Sequence, residues 1–185
     1  MAGCKARNGI SNVCGDQLFA GGVDSDFYVG YISDLSTRFS LTQAADISSL
    51  AFTAYNGLVK FQGNKFLHEG KWPFIKGAGG NGFYQQEFSA KLIALSTQDD
   101  IEMQRLQQAT DAFVIVKNNN GSFLIFGAGN GLISMPSPGG NTTGVQAADD
   151  VSDNVLLQGA EKTKPLRFFV TDEVTTVAYL NARVI

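Results

Sequence analysis

The sequence predicts a mainly β fold: an antiparallel β-sandwich or small barrel with one flanking α-helix and long loops or arms. Three observations carry that expectation. Five Asn-Gly pairs punctuate the chain, at Asn8-Gly9, Asn56-Gly57, Asn81-Gly82, Asn120-Gly121 and Asn130-Gly131. This dipeptide favours tight type I′ turns, because both residues tolerate positive φ. The 185 residues include 14 Phe and 21 Gly but only 4 Pro and 1 Trp, which suits many short strands joined by tight turns. Several segments also alternate apolar and polar residues with the period of a strand.

In chain order, Asp26 to Ile32 reads as the first strand, and Leu50 to Phe61 as a strand pair interrupted at Asn56-Gly57. Phe66, His68, Trp72 and Phe74 mark a further extended segment. From Phe83 to Leu95, Tyr84, Phe88, Ala90, Leu92 and Ala94 fall on one face, with Gln85, Glu87, Ser89 and Lys91 opposite, as in a half-solvated strand. A helix follows. Thr97 with Asp100 resembles a capping box, and Asp99, Asp100 and Glu102 complement the helix dipole. Ile101, Leu106 and Ala109 give it a thin apolar stripe.

The clearest hairpin joins Ala112–Lys117 to Ser122–Phe126 across a polar turn. Ala128 to Asn154 is rich in Gly, Pro, Ser, Thr and Asp, too polar for core and too long for an ordinary connection. Val155–Leu157 and Leu166–Val170 read as strands around the charged turn Glu161–Pro165, and an apolar tail runs through Val177, Tyr179, Leu180, Val184 and Ile185. Length and the lack of any internal repeat suggest one domain over residues 1–185, with an N-terminal arm at 1–22 and an extended loop at 128–154.

Charge limits the function classes. Lys and Arg total 14 against 17 Asp and Glu, for a formal net charge of −3, and the basic residues are dispersed. A dedicated nucleic-acid binder needs clustered cations to grip phosphate, and none occurs. No stretch approaches the roughly 20 apolar residues of a spanning helix, and no apolar segment precedes Cys4, so a soluble chain without a secretory signal is expected. Cys4 and Cys14 do not form a CxxC pair and have no histidine cluster to complete a zinc site. Free thiols and a short-loop disulfide both remain open.

The motifs that might carry chemistry fail on context. Gly77–Gly82 matches GxGxxG literally, but a strand follows where a dinucleotide site needs a helix, so a glycine hairpin is the expectation. Gly127–Gly131 reads the same way, and no P-loop lysine pattern exists. His68 is the sole histidine, no GxSxG elbow accompanies it, and it reads as structural. Asp24 with Asp26, and Asp149 with Asp150 and Asp153, lack calcium-loop spacing. Asn141-Thr142-Thr143 is a formal glycosylation sequon. The inventory therefore assigns no catalytic, cofactor-binding or metal-ligating residue and no cofactor, and a non-enzymatic role is expected.

With its elements placed, the chain resembles the tail tube proteins of tailed bacteriophages, which are similar to the inner tube proteins of contractile injection systems and type VI secretion. The likeness rests on Leu92–Leu95 leading through Ser96–Asp100 into the helix, on Ala112–Gly121, on Gly127–Leu132, and on Leu156–Pro165 followed by Leu166–Val170 as a closing hairpin. It spans roughly residues 45 to 175. The resemblance implies a structural virion protein whose sheets join between subunits into rings, commonly of six. Stacked rings would form a tube, together with other tail proteins, through which DNA passes without specific binding. It implies assembly in the host cytoplasm and residence in the virion tail, with no membrane partner. Candidate contacts are Met1–Gly22, Gly63–Gly82, Ala128–Asn154 and the C-terminal tail, and the Glu87 strand face is the candidate channel lining. The competing expectations are another virion part, such as a tail terminator, baseplate or capsid decoration protein, and a carbohydrate-binding β-sandwich. The latter would need exposed aromatics clustered with Trp72.

Overall fold

A computed structural model describes residues 23–41, 46–63, 67–77, 81–92, 97–119, 121–137 and 153–185. The N-terminal arm with Cys4 and Cys14, the Asn141 sequon and most of the loop before Asp153 lie outside them. The strands are β1 (Val23–Tyr31), β2 (Val59–Gln62), β3 (His68–Lys71), β4 (Phe74–Lys76), β5 (Gly82–Leu92), β6 (Ala112–Asn118), β7 (Phe123–Phe126), β8 (Ile133–Met135), β9 (Asp153–Glu161) and β10 (Leu166–Phe168). The helices are α1 (Thr97–Gln107) and α2 (Glu173–Asn181). The described strands form two antiparallel sheets of a sandwich, not a closed barrel. One runs β10–β7–β6–β1–β2; the other runs β3–β5–β9–β8, with β4 also paired to β5.

The sheets bury Phe27, Val29, Val114, Val116 and Phe126 of the first against Phe88, Ala90, Leu92, Val155 and Leu157 of the second. Helix α1 adds Met103 and Leu106 to this core. The outer face of the first sheet is covered too: Tyr28, Phe113, Ile115, Phe123 and Ile125 pack with Leu180 of α2 and with Leu35, Leu50 and Leu58. Burial on both faces explains the unbroken apolar run Ala112–Val116, since neither side of that strand meets water. Among the described residues the second sheet is covered on its inner face only, and β5 alternates, with Gln86, Phe88, Ala90 and Leu92 buried and the residues between them half-exposed.

Several sequence expectations hold. The hairpin at 112–126 forms with Lys117 opposite Phe123, and Gly121 takes φ +84 in its turn. Gly77 and Gly82 bracket the β4–β5 hairpin, where Lys76 pairs with Gly82. The segment of His68, Trp72 and Phe74 is extended, as two short strands that both pair with β5.

Other expectations are corrected. Residues 50–57 are not a strand: Phe52 makes an isolated bridge to Leu35, and only β2 is regular. Asn56-Gly57 is no type I′ turn, because the left-handed residue there is Tyr55 at φ +67. Ile101 is 39% exposed, and the docked stripe of α1 is Met103 with Leu106. Ala128 and Leu132 are buried and Ile133–Met135 forms β8, so the front of the 128–154 stretch belongs to the sandwich. β9 and β10 are not a hairpin: β9 pairs with β5 and β8, whereas β10 crosses to the first sheet and pairs with β7.

The C-terminal tail is helix α2, a second helix where one was expected. Asp172 caps it by accepting from the Thr175 backbone N–H at 2.8 Å. It has firm internal partners, with Leu180 fully buried, the Tyr28 hydroxyl donating to Asn181 Oδ1 at 2.8 Å, and the Tyr179 hydroxyl accepting from the Leu50 N–H at 2.7 Å.

Candidate assembly surface

The side chains on the uncovered face of the second sheet follow from strand parity. On β5 these are Gln85, Glu87, Ser89 and Lys91, which stand opposite Ala160, Gln158, Leu156 and Asn154 of β9. At the centre, Glu87 Oε1 accepts hydrogen bonds from Gln85 Nε2 and Gln158 Nε2, both at 2.7 Å. Beside it, Lys71 Nζ pairs with Glu69 Oε2 at 2.7 Å on β3, an exposed contact that raises the lysine pKa mainly through the hydrogen bond to Glu69. Among the described residues, the two lysines of this face, Lys71 and Lys91, are equalled in number by Glu69 and Glu87, so the middle of the face carries no excess of either sign.

The margins are apolar. At the β8 edge, Ile133 and Met135 are 50% and 41% exposed. At the opposite edge, Ile75 of β4 pairs with Phe83 of β5, and both remain more than a third exposed. Phe74 projects to the other side of the same edge and is 56% exposed while touching the Tyr84 ring. Trp72 packs on Phe126 with ring centroids 5.8 Å apart. Tyr55, on the far segment, is almost fully exposed and is not grouped with Trp72.

The edges differ in how they are protected. β10 is flanked by Ile47, whose N–H donates to the Arg167 carbonyl at 2.9 Å. At the start of β2, Leu58 bonds the C-terminal residues Arg183 and Ile185. β8 is blunted where the Ser134 N–H donates to the Ala109 carbonyl at 2.9 Å. No described strand flanks β3 or β4 on the side away from β5. An open edge of this kind is a template for pairing with another chain.

Behind the face, a buried polar cluster ties the sheets together. Gln86 Oε1 accepts from the Gly127 N–H at 2.9 Å, and its Nε2 donates to the Thr163 carbonyl at 2.9 Å. Glu161 accepts from the Gly129 and Asn130 N–H groups at 3.1 and 2.7 Å. The turn at 127–131 is therefore held by side chains, with Gly127 and Gly131 at φ +75 and +83 supplying the left-handed conformations. It is a structural turn. Sequence reasoning missed Gln86 and Glu161; the available signal was a lone polar residue on the apolar face of β5.

His68 is 3% exposed on β3, with its ring 5.3 Å from Phe27 and 6.5 Å from Phe88. Neither ring nitrogen has a hydrogen-bond partner. Burial pushes its pKa down; the nearby Ser25 backbone, which does not reach hydrogen-bond geometry, and then the Asp26 charge oppose that shift without reversing it. No described nucleophilic side chain bonds it. Asp24 and Asp26 are drawn to cations, Asp26 to Lys60 at 2.8 Å and Asp24 to Lys117 at 3.3 Å, and Lys117 also reaches Glu173 of α2 at 2.7 Å. Among the described residues no three His, Cys, Asp or Glu side chains gather as metal ligands. No described helix is long and apolar enough to cross a membrane. The chain matches no family model, and no curated protein or solved structure is significantly similar to it.

Proposed function

We propose that this chain is a structural subunit that self-associates, a tail tube protein whose rings, expected as hexamers, stack around a channel for DNA. In this reading it works with other tail proteins in the virion tail after assembly in the host cytoplasm. One observation carries it: a single sheet presents a charge-balanced polar face bounded at both edges by exposed apolar side chains. Packing the open β3–β4 edge of one subunit on the apolar side-chain margin at β8 of the next, whose backbone edge is blunted, would bury Ile75, Phe83, Ile133 and Met135. The Glu87–Gln158 row would then line the enclosed space. A lining that balances Lys71 and Lys91 with Glu69 and Glu87 lets a polyanion pass without being held. A head-to-tail contact between unlike edges closes into rings when the rotation between subunits divides a full turn.

The reading is tested by negative-stain electron microscopy with sedimentation velocity across a concentration series. Rings or striated tubes with a central hole are expected. A monomer at every concentration by both methods overturns it.

A further inference from the structure

Three Asn-Gly pairs lie wholly within the described residues, and the structure treats them very differently. At Asn130-Gly131, the asparagine Nδ2 donates to the Ala160 carbonyl at 2.7 Å, its N–H donates to Glu161, and the buried Gly131 N–H donates to the Gly127 carbonyl at 3.1 Å. At Asn56-Gly57, the side-chain amide is folded back onto Thr53 Oγ1 at 2.7 Å, and Gly57 is wedged beneath the Arg183 carbonyl. At Asn81-Gly82 both residues are exposed, and no hydrogen bond to a described residue holds the Asn81 side chain.

The backbone at Gly82 is also free to react. Across the β4–β5 ladder the bonded positions are the odd ones, with the Gly77 N–H donating to the Asn81 carbonyl at 2.7 Å and the Gln85 N–H to the Pro73 carbonyl at 3.0 Å. That turns the Gly82 N–H toward the β9 side, where β9 has already ended at Glu161 opposite Tyr84. Glycine suits this position, because a Cβ there would meet the Phe74 ring, which would have to swing aside. Packing thus favours, beside an unrestrained asparagine amide, the one neighbour that does not shield its own nitrogen.

From this we infer that Asn81 is a spontaneous deamidation site, the reactive one of these three pairs, with water as the only co-reactant. Gly82 N loses its proton to hydroxide and attacks Asn81 Cγ. The new N–C bond closes a five-membered succinimide, the Cγ–Nδ2 bond breaks, and ammonia leaves with a proton from water. Water then opens the ring at either carbonyl, giving aspartate or isoaspartate with no change of oxidation state. Either product adds a negative charge to the exposed β4–β5 edge, and isoaspartate lengthens the backbone by one methylene. The inference stands apart from the assembly reading.

The test incubates the purified full chain, dilute enough to be monomeric by sedimentation, in mildly alkaline buffer. Peptide mass spectrometry then follows the amide-to-acid mass gain at each site. Of these three sites the peptide holding Asn81 should convert first, with isoaspartate in excess, while Asn56 and Asn130 stay intact. In urea the three pairs should converge in rate. Asn81→Ser should abolish the early product while leaving the melting temperature unchanged. Equal rates in the folded protein, or earlier conversion of Asn130 or Asn56, overturn the inference.

Discussion

His68 is sealed between Phe27 and Phe88 with both ring nitrogens unpartnered, and such a group has a definite pH signature. Its folded pKa is lowered from 6.5 by burial. Above that value the ring is neutral in both folded and unfolded chains. Below it, the unfolded chain takes up a proton that the folded one resists, so stability falls as pH drops from the unfolded value toward the folded one. Thermal melts between about pH 7.5 and about pH 5 should therefore show a declining midpoint, and His68→Leu, close in size, should flatten that decline. Parallel profiles for the two proteins would count against the account. Glu161 supports the opposite kind of prediction, because it is 2% exposed and its Oε1 accepts from both Gly129 and Asn130. Glu161→Ala removes the side-chain acceptor from both N–H groups, of which the Gly129 one is half-buried, and should cost about 1 kcal/mol in urea unfolding. That His68 is structural was legible in sequence, but its unpartnered nitrogens and the role of Glu161 were not. A histidine on a strand does not announce whether its nitrogens find partners, and Glu161 sits in a charged stretch that looks solvated.

At the scale of elements, sequence was most informative where local rules and burial agree. The 112–126 hairpin has two apolar runs and a turn glycine at φ +84, and it forms as read. Helix α2 was hidden because Val174, Thr175, Thr176 and Val177 have poor helix propensity, although Asp172 stood ready as a cap. What stabilises it is tertiary packing of Leu180 against the first sheet. Leu180→Ala should therefore cost about 2–5 kcal/mol, read from the urea midpoint. Helix α1 offers an internal contrast. Leu106→Ala, at 1% exposure, should cost about 2–5 kcal/mol, whereas Ile101→Ala should stay within about 0.5 kcal/mol. Similar losses at both positions would refute the observed docking face. The β9–β10 connection misled for another reason: nearest-neighbour pairing is the local default, but Leu166–Phe168 finds its partner in β7 of the other sheet.

For the whole molecule, the sandwich class was legible because alternation in β5 and the continuous run in β6 together require one sheet covered on one face and another covered on both. The boundary of the 128–154 loop was not, since a Gly-rich stretch gives no sign that Ala128 and Leu132 enter the core or that β8 extends the second sheet. The same uncovered face carries the proposed assembly, and its apolar margin can be changed without touching the core. Ile133 and Met135 project from β8 into solvent, so the pair Ile133→Lys with Met135→Lys should shift monomer stability by no more than about 1 kcal/mol. Two cations at that margin must be desolvated before it can meet an apolar neighbour, and such a cost opposes ring closure directly. The double variant should keep the parent melting curve yet sediment as a monomer at concentrations where the parent forms rings. Assembly at the parent concentration would show that the β8 margin is not the contact, while a lowered melting point would show that these side chains stabilise the subunit itself.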